Sequence, residues 1–308
     1  MDSRLCIAAC VYGRKYQGWI PIYIYSIKKN YPEYDIKIFI DKDLSLGIKR
    51  LLKKYDLYRG VDIIENIDFS REYGFKSTIE KRCFRWLVNG EPLKEYDYVY
   101  WGDVDIYIVK EDISLMKQHV DDMEISHRCY SNALRLSARD YMKRHKKSIR
   151  AHLFRLTGLH FVEAKTYYNE VASAQEMIIR YLKSGRLRFI DKLFFHDDER
   201  CLWLVHFLSR LEFPNGSYEI DEKVFRPLHG IHFALGREYA VYRKIFNEGN
   251  IHYNDHTMYF RKFREEYNAD PVLRSLIYES PLYVVSIIDS MCSIWKGKLR
   301  RDGIDSRQ

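Results

Sequence analysis

Leu5 to Val11 is an unbroken run of small and branched apolar residues, and its lack of polar alternation predicts a strand buried on both faces. The run stops at Tyr12-Gly13-Arg14-Lys15, a loop with one glycine and two cations. Pro21 to Lys29, carrying Ile22, Tyr25 and Ile27, predicts a helix. A second strand follows over Asp35 to Asp41, then a helix from Leu46 to Tyr55 and a third strand from Val61 to Ile67. From Phe75 to Val88 the apolar residues Phe75, Ile79, Cys83, Trp86 and Leu87 recur at helical spacing. Next comes Tyr96-Asp97-Tyr98-Val99-Tyr100-Trp101-Gly102-Asp103-Val104-Asp105, a buried strand that ends in two carboxylates.

The first 110 residues therefore read β-α-β-α-β-α-β, the pattern of a largely parallel sheet with helices on its faces. Right-handed crossovers bring the ends of the first and fourth strands to one side of such a sheet. The loop at Tyr12 and the acidic pair at Asp103 are then expected to share a cleft. The second half is less regular. Residues 128–155 are rich in arginine and lysine, Thr157 to Val162 suits a strand or turn, and 170–184 a helix. Another helix, with Leu202, Leu204, Val205 and Leu208, starts at Asp197-Asp198-Glu199. Pro281 to Trp295 is apolar and amphipathic and leads into Lys296, Lys298, Arg300 and Arg301.

The acidic pair carries the first chemical expectation. In an extended chain alternate side chains share a face about 6.6 Å apart. Asp103 and Asp105 would then point into one pocket, where hard cations such as magnesium and manganese take carboxylate oxygens and keep positions open for phosphates. A polar strand end before a turn has the same residues. At Asp197-Asp198-Glu199, acids at a helix start suit N-capping and the helix dipole, or a carboxylate placed for catalysis. His229 and His232 lie in Pro227 to Arg237, where either could add a nitrogen ligand and Arg237 could clamp a phosphate. Lys76, near the start of the predicted helix from Phe75, also suits a phosphate.

Charge and cysteine content narrow the setting. The formal charge is +8, so phosphorylated small molecules, nucleic acid and anionic membranes are the natural partners. The six cysteines form no C-x-x-C pair or regular framework, which suits a reducing cytoplasm. No secretory h-region and no apolar run of about 18 residues occurs, so a cytoplasmic protein, at most peripheral to the inner face of a membrane, is expected.

In the order of these segments the chain resembles the metal-dependent nucleotide-sugar glycosyltransferases of the GT-A fold. The match of Val99 to Asp105 is closest to the glycogenin-like and bacterial lipopolysaccharide galactosyl- and glucosyltransferases, where an apolar strand ends in D-x-D. His196-Asp197-Asp198-Glu199 is similar to the acidic H-D-E motif of the blood-group-type transferases. His232-Phe233-x-x-Gly236-Arg237 is similar to a late segment that supplies a metal-binding histidine and a phosphate-binding cation. Three departures stand out: Gly102 replaces an apolar residue, Arg237 stands where lysine is common, and K-P-W is absent.

The resemblance implies an α/β fold, a Rossmann-like, mixed and mainly parallel sheet flanked by helices, with an elaborated C-terminal half. It implies a catalytic domain over 1–240, split into a nucleotide-binding half (1–110) and an acceptor-side half (111–240), then a helical extension with a basic tail (241–308). The activity implied is transfer of a hexose, galactose or glucose, from a UDP-sugar to a glycan or lipid-linked glycan in bacterial surface polysaccharide synthesis. Mn2+ or Mg2+ would sit on Asp103, Asp105 and His232, and the nucleotide against Ala8, Ala9, Tyr12, Lys76, Asp103 and Arg237. Asp197, Asp198 and Glu199 are the candidate catalytic carboxylates. A membrane contact is expected of the amphipathic segment with Trp295 and the basic residues behind it. Two other readings are a nucleic-acid-binding protein, proposed on charge alone, and a metal-dependent nucleotidyltransferase. The first lacks zinc spacing or an RNA-binding signature, so nucleic acid is not expected as a partner, and the second lacks a glycine-serine phosphate loop.

Overall fold

The computed structural model describes residues 3–75, 80–132, 155–184, 198–214, 229–233 and 254–301. The first half contains β1 (Leu5–Val11), α1 (Arg14–Gln17), α2 (Ile20–Asn30), β2 (Asp35–Ile40), α3 (Leu46–Lys54), β3 (Val61–Ile64), α4 (Phe69–Tyr73) and α5 (Phe84–Leu87). Then come β4 (Tyr98–Gly102), β5 (Ile106–Ile108), α6 (Leu115–Ser126), β6 (Tyr130–Ser131), β7 (His160–Glu163) and α7 (Ala164–Ser184). The remainder is α8 (Asp198–Ser209), β8 (Gly230–His232), α9 (Asn254–Ala269), α10 (Pro271–Glu279) and α11 (Leu282–Arg301).

Six strands form one sheet in the order β3-β2-β1-β4-β7-β6. β1 to β4 are parallel, and β7 runs antiparallel to β4. The expected mixed, mainly parallel sheet is thus present, with β1 paired directly to β4. The apolar run of β1 is split between two cores by the alternation of strand side chains. Ile7 and Ala9 join α2, α3 and the C-terminal helices on one face. Cys6 and Ala8 join α5, α7 and α8 on the other. A strand covered on both sides has no use for a polar position, which is why β1 carries none.

Three local expectations change. The helix predicted over 75–88 is, within the described residues, a 3-10 turn (Glu80–Cys83) followed by the single turn α5, after which Val88 adopts extended backbone. β3 ends at Ile64 rather than Ile67, because Asn66 takes left-handed backbone (φ 62°) that a strand cannot continue through. The helix predicted over 170–184 begins earlier, at Ala164.

The C-terminal helices belong to the first core. Phe260, Phe263, Leu276, Ile288 and Met291 are buried with β1 and α2. Trp295 is buried too, with its ring 5.4 Å from that of Phe260. It therefore stabilises helix docking and is not available as a membrane anchor; the side chains of Lys296, Lys298, Arg300 and Arg301 lie outside the described residues. No helix among the described residues is long and apolar enough to cross a membrane.

Asp270 fastens this region. It caps α10 by accepting from the backbone N–H of Val272 (2.9 Å) and Leu273 (3.1 Å), and it also accepts from Tyr25 Oη at 2.5 Å and pairs with Lys29, both on α2. Burial alone would raise its pKa. The Lys29 and Tyr25 hydrogen bonds and the Leu273 N–H outweigh that and hold it down to about 2, from an ordinary 3.8.

Gly102, the departure noted in the acid-tipped strand, has a steric cause. A Cβ there would stand 2.5 Å from the Tyr23 hydroxyl and 3.2 Å from Tyr100 Cε1. Tyr23 fills the volume that a side chain at 102 would need, and its hydroxyl is buried with no hydrogen-bond partner among the described residues.

Gly102→Ala is expected to destabilise the protein by about 1–3 kcal/mol through overpacking. Tyr23→Phe alone should be close to neutral, and the pair G102A/Y23F should regain most of the loss, since the nearest Tyr23 atom is then Cζ at 3.6 Å. Urea denaturation of the four proteins measures this, and a double variant no better than G102A would show that the hydroxyl is not the obstacle. Because the pKa of Asp270 is depressed, its ion pair stabilises fully above about pH 4 and fades as the pH falls towards 2. The stability difference between wild type and Asp270→Asn should shrink over that window in acid titrations followed by circular dichroism.

Candidate functional site

Asp103-Val104-Asp105 is not an extended strand end. β4 stops at Gly102, and Ile106 N–H donates to Asp103 O at 3.1 Å to close a tight turn. The expected juxtaposition of the two carboxylates is met, though by turn closure rather than by strand alternation. The turn delivers the chain into β5, which leaves the main sheet and pairs antiparallel with β8. The register sets Ile106 opposite His232, and Phe233 N–H donates to Asp105 O at 2.8 Å. Gly230 makes this close approach possible, since a Cβ there would lie 2.1 Å from Tyr107 O.

That ladder carries His232 to the acids. Its Nε2 stands 3.0 Å from Asp105 Oδ1, and ligand atoms of Asp103, Asp105 and His232 all lie within 4.8 Å of one another. Octahedral ligands of a small divalent ion at about 2.1 Å stand roughly 3 Å apart when adjacent. Two carboxylate oxygens and an imidazole nitrogen fit a small divalent cation such as magnesium or manganese in chemistry, and the Asp105–His232 separation matches adjacent ligand positions.

His229, the other histidine considered as a ligand, is elsewhere. It is fully buried, with Nδ1 2.6 Å from Glu111 Oε2 and Nε2 2.9 Å from His119 Nε2. His119 in turn meets Ser131 Oγ at 2.9 Å. Burial, and then the neighbouring His229 and His160, push the His119 pKa well down, so His119 is neutral and His229 is a packing residue in a polar chain.

Arg85 is the functional residue that periodicity conceals. The helical pattern around it marks Cys83, Trp86 and Leu87 as core, and Arg85 reads as a surface cation. In the fold its guanidinium is almost fully buried, Nη1 donating to Asp103 Oδ1 at 2.7 Å and Nη2 to Asp198. It lies over the Trp86 ring, 4.6 Å from its centroid, and Gly158 leaves room for it, a Cβ there being 2.8 Å from Nη2. Burial would lower its pKa, but Asp198 and Asp103 outweigh that and raise it. The one available signal is a lone arginine within an apolar run, two residues after Cys83.

The remaining expected residues divide. Asp198, at the start of α8, faces the cleft, whereas Glu199 does not line it. Glu199 is buried, accepts from Gly158 N–H at 3.3 Å and pairs with Arg155 Nε at 3.1 Å, so it secures the 155–158 segment. Tyr12 lines the cleft with its ring 5.8 Å from that of Tyr16. Burial, partly offset by Arg82, raises its hydroxyl to about 12. Ala8 and Ala9 are fully buried inside β1, one in each core, and do not line the cleft; Cys10 does instead. Asp197, Lys76 and Arg237 lie outside the described residues. The cleft has a volume of about 270 Å³ and is also lined by Arg82, Val104 and the metal-ligand candidates.

No family model matches the chain, and no curated protein matches it. Solved structures similar to it include the galactosyltransferase LgtC in complex with donor and acceptor sugar analogues, at 14% identity over 65% of this chain and 70% of that one, with a TM-score of 0.40. Core-mannan synthase A from Aspergillus fumigatus in its Mn/GDP form is similar at 11% identity over 69% and 70% of the two chains, with a TM-score of 0.41. The mannosyltransferase Ktr4p from S. cerevisiae in complex with GDP is similar at 13% identity over 69% and 67%, with a TM-score of 0.38.

Replacing Arg85 removes the cation that both Asp103 and Asp198 bind. Arg85→Met is expected to cost about 3–5 kcal/mol, as for other broken buried ion pairs. The triple variant R85M/D103N/D198N should recover much of that loss. Guanidinium denaturation of both proteins checks it; a triple variant as unstable as R85M would mean that packing, not charge, explains Arg85.

Proposed function

We propose that this chain is a metal-dependent glycosyltransferase that moves a sugar from a nucleoside diphosphate sugar to a glycan acceptor. One observation carries the reading: Asp103, Asp105 and His232 converge in a cleft at the C-terminal edge of a parallel sheet, the edge where open α/β sheets bind ligands. Within that reading, Asp105 and His232, 3.0 Å apart, hold the cation, and Asp103, restrained by Arg85, completes the set. The cation would neutralise the charge that develops on the departing diphosphate.

Protein groups perform the rest. Tyr12 and Tyr16 offer aromatic faces to the base, and Arg82 beside Tyr12 brings a positive charge to that part of the cleft. Asp198, fixed by Arg85, would accept a hydrogen bond from a donor-sugar hydroxyl or stabilise positive character at the anomeric carbon, which resembles the oxocarbenium centre of glycoside hydrolysis. Asp197, Lys76 and Arg237 retain their proposed parts as carboxylate and phosphate-binding cations. We take the donor to be UDP-galactose or UDP-glucose, the metal to be Mn2+ or Mg2+, and the acceptor to be a growing bacterial surface polysaccharide. The six cysteines, with no C-x-x-C pair and no regular framework, suit a cytoplasmic setting.

Thermal shift in the presence of Mn2+ with UDP or GDP tests the site. A nucleotide at about 100 times its Kd should stabilise by about 2.7 kcal/mol. The shift should vanish without metal and in Asp105→Asn or His232→Ala. Manganese-dependent hydrolysis of a panel of UDP- and GDP-sugars identifies the donor. A salt-steep affinity for DNA with no response to nucleotides would overturn the proposal in favour of nucleic-acid binding.

A further inference from the structure

Two arginines of one short segment line the cleft, and their surroundings differ. Arg85 is buried and committed, one guanidinium nitrogen to Asp103 and the other to Asp198. Arg82 stands three residues earlier, in the 3-10 turn that packs against α8, and it is exposed. Among the described residues no carboxylate forms an ion pair with it. Its guanidinium donates instead to the Tyr12 hydroxyl. Partial burial would lower the pKa of Arg82, but Tyr12 first, then Asp198 and Tyr16, outweigh that and raise it, so these three groups adjoin its charge.

Those neighbours set Arg82 apart from the metal end. Contact by contact, the cleft runs from Asp105 and Asp103 through Arg85 to Asp198, and then to Arg82. Beside Arg82 lie the rings of Tyr12 and Tyr16, with centroids 5.8 Å apart and planes inclined by 31°. An aromatic face next to a guanidinium with donors to spare suits a nucleobase. The ring stacks on the flat side of the base, and the guanidinium reaches its polar edge. A diphosphate belongs at the other end, where a cation on Asp105 and His232 would hold it.

We infer that Arg82 reads the base of the nucleotide, donating to a ring carbonyl oxygen and so selecting a keto base (uracil or guanine) over an amino base (cytosine or adenine). This rests on the nucleotide-sugar reading of the cleft. The selection follows from the chemistry of the side chain, since a guanidinium carries N–H donors and no acceptor. Uracil presents O4 where cytosine has an amino group, and guanine presents O6 where adenine has one. The keto oxygen accepts from Arg82. An amino group at the same place sets donor against donor and forfeits the hydrogen bond. The bond to Tyr12 holds the planar fork beside the ring and leaves its other donors for the base. Arg85 is not available for this part, because both of its terminal nitrogens are bound to carboxylates.

Isothermal titration of the full chain with UDP, CDP, GDP and ADP, each with saturating Mn2+, tests this without a donor sugar or an acceptor. Wild type is expected to bind UDP about tenfold more tightly than CDP, and GDP about tenfold more tightly than ADP. Arg82→Met should bring both ratios close to one. In Arg82→Glu the carboxylate accepts from an amino group, so the UDP-to-CDP preference should invert even where the added charge weakens every nucleotide. The ratio within each protein is the readout, because a general loss of nucleotide affinity cancels from it. Arg82 is exposed, so the melting temperatures of both variants without nucleotide should stay near wild type. Equal binding of UDP and CDP by wild type would overturn the inference and leave the transferase reading standing, as would a preference that R82M retains. An R82M protein that loses all four nucleotides by one common factor would make Arg82 a phosphate ligand and equally overturn it. Binding of none of the four by wild type would overturn the transferase reading itself, and this inference with it.

Discussion

The candidate site rests on a buried guanidinium shared by two carboxylates from distant parts of the chain. Arg85 comes from α5, Asp103 from the turn after β4, and Asp198 from the first residue of α8. Without the cation, Asp103 and Asp198 would stand close together in a poorly solvated cleft and repel each other. With it, the end of the parallel sheet, the second helical layer and the start of α8 are held in one arrangement. The arginine fork suits this task because its donors lie in a fixed plane and can serve two acceptors at once. A lysine would offer a point charge on a longer, looser stem.

A second constraint lies in the backbone. The tight turn at 103–106 directs the chain out of the main sheet, and the β5–β8 ladder then sets His232 against Asp105. One residue of slip in that ladder would turn His232 to the opposite face and remove it from the site. Gly230 and the Phe233–Asp105 backbone bond hold the register. The position of the nitrogen ligand is therefore a backbone property, while the position of Asp103 is set by side-chain electrostatics.

The two cores divide the molecule by task. The face of β1 with Cys6 and Ala8 supports α5, α7 and α8, and so underlies the Arg85 and Asp198 side of the cleft. The opposite face supports α2, α3 and the three C-terminal helices, which Asp270 ties to α2. Packing on the two faces of one sheet thus links the Arg85 and Asp198 side of the cleft with the C-terminal helices.

Much of this was legible in the chain. The β1 run, the succession of strands and helices to residue 110, and the acidic pair after an apolar strand are local patterns, because alternation, helical spacing and strand ends are properties of neighbouring residues. The first strand's loop and the acidic pair fell in one cleft because crossover handedness leaves one arrangement. Other features depended on distant partners. Asp198 and Glu199 are adjacent acids of similar local character, yet one faces the cleft and the other is buried beneath Gly158. His229 and His232 are three residues apart, and only pairing with β5 decides which reaches Asp105. Arg85 lacks any local mark of its role, and Gly102 is explained only by Tyr23. The sequence by itself determined the sheet and the identity of the acidic turn, through hydrophobic periodicity. Tertiary structure decided which charged side chains share the cleft, because burial and partners are set by contacts between segments that the linear order keeps far apart.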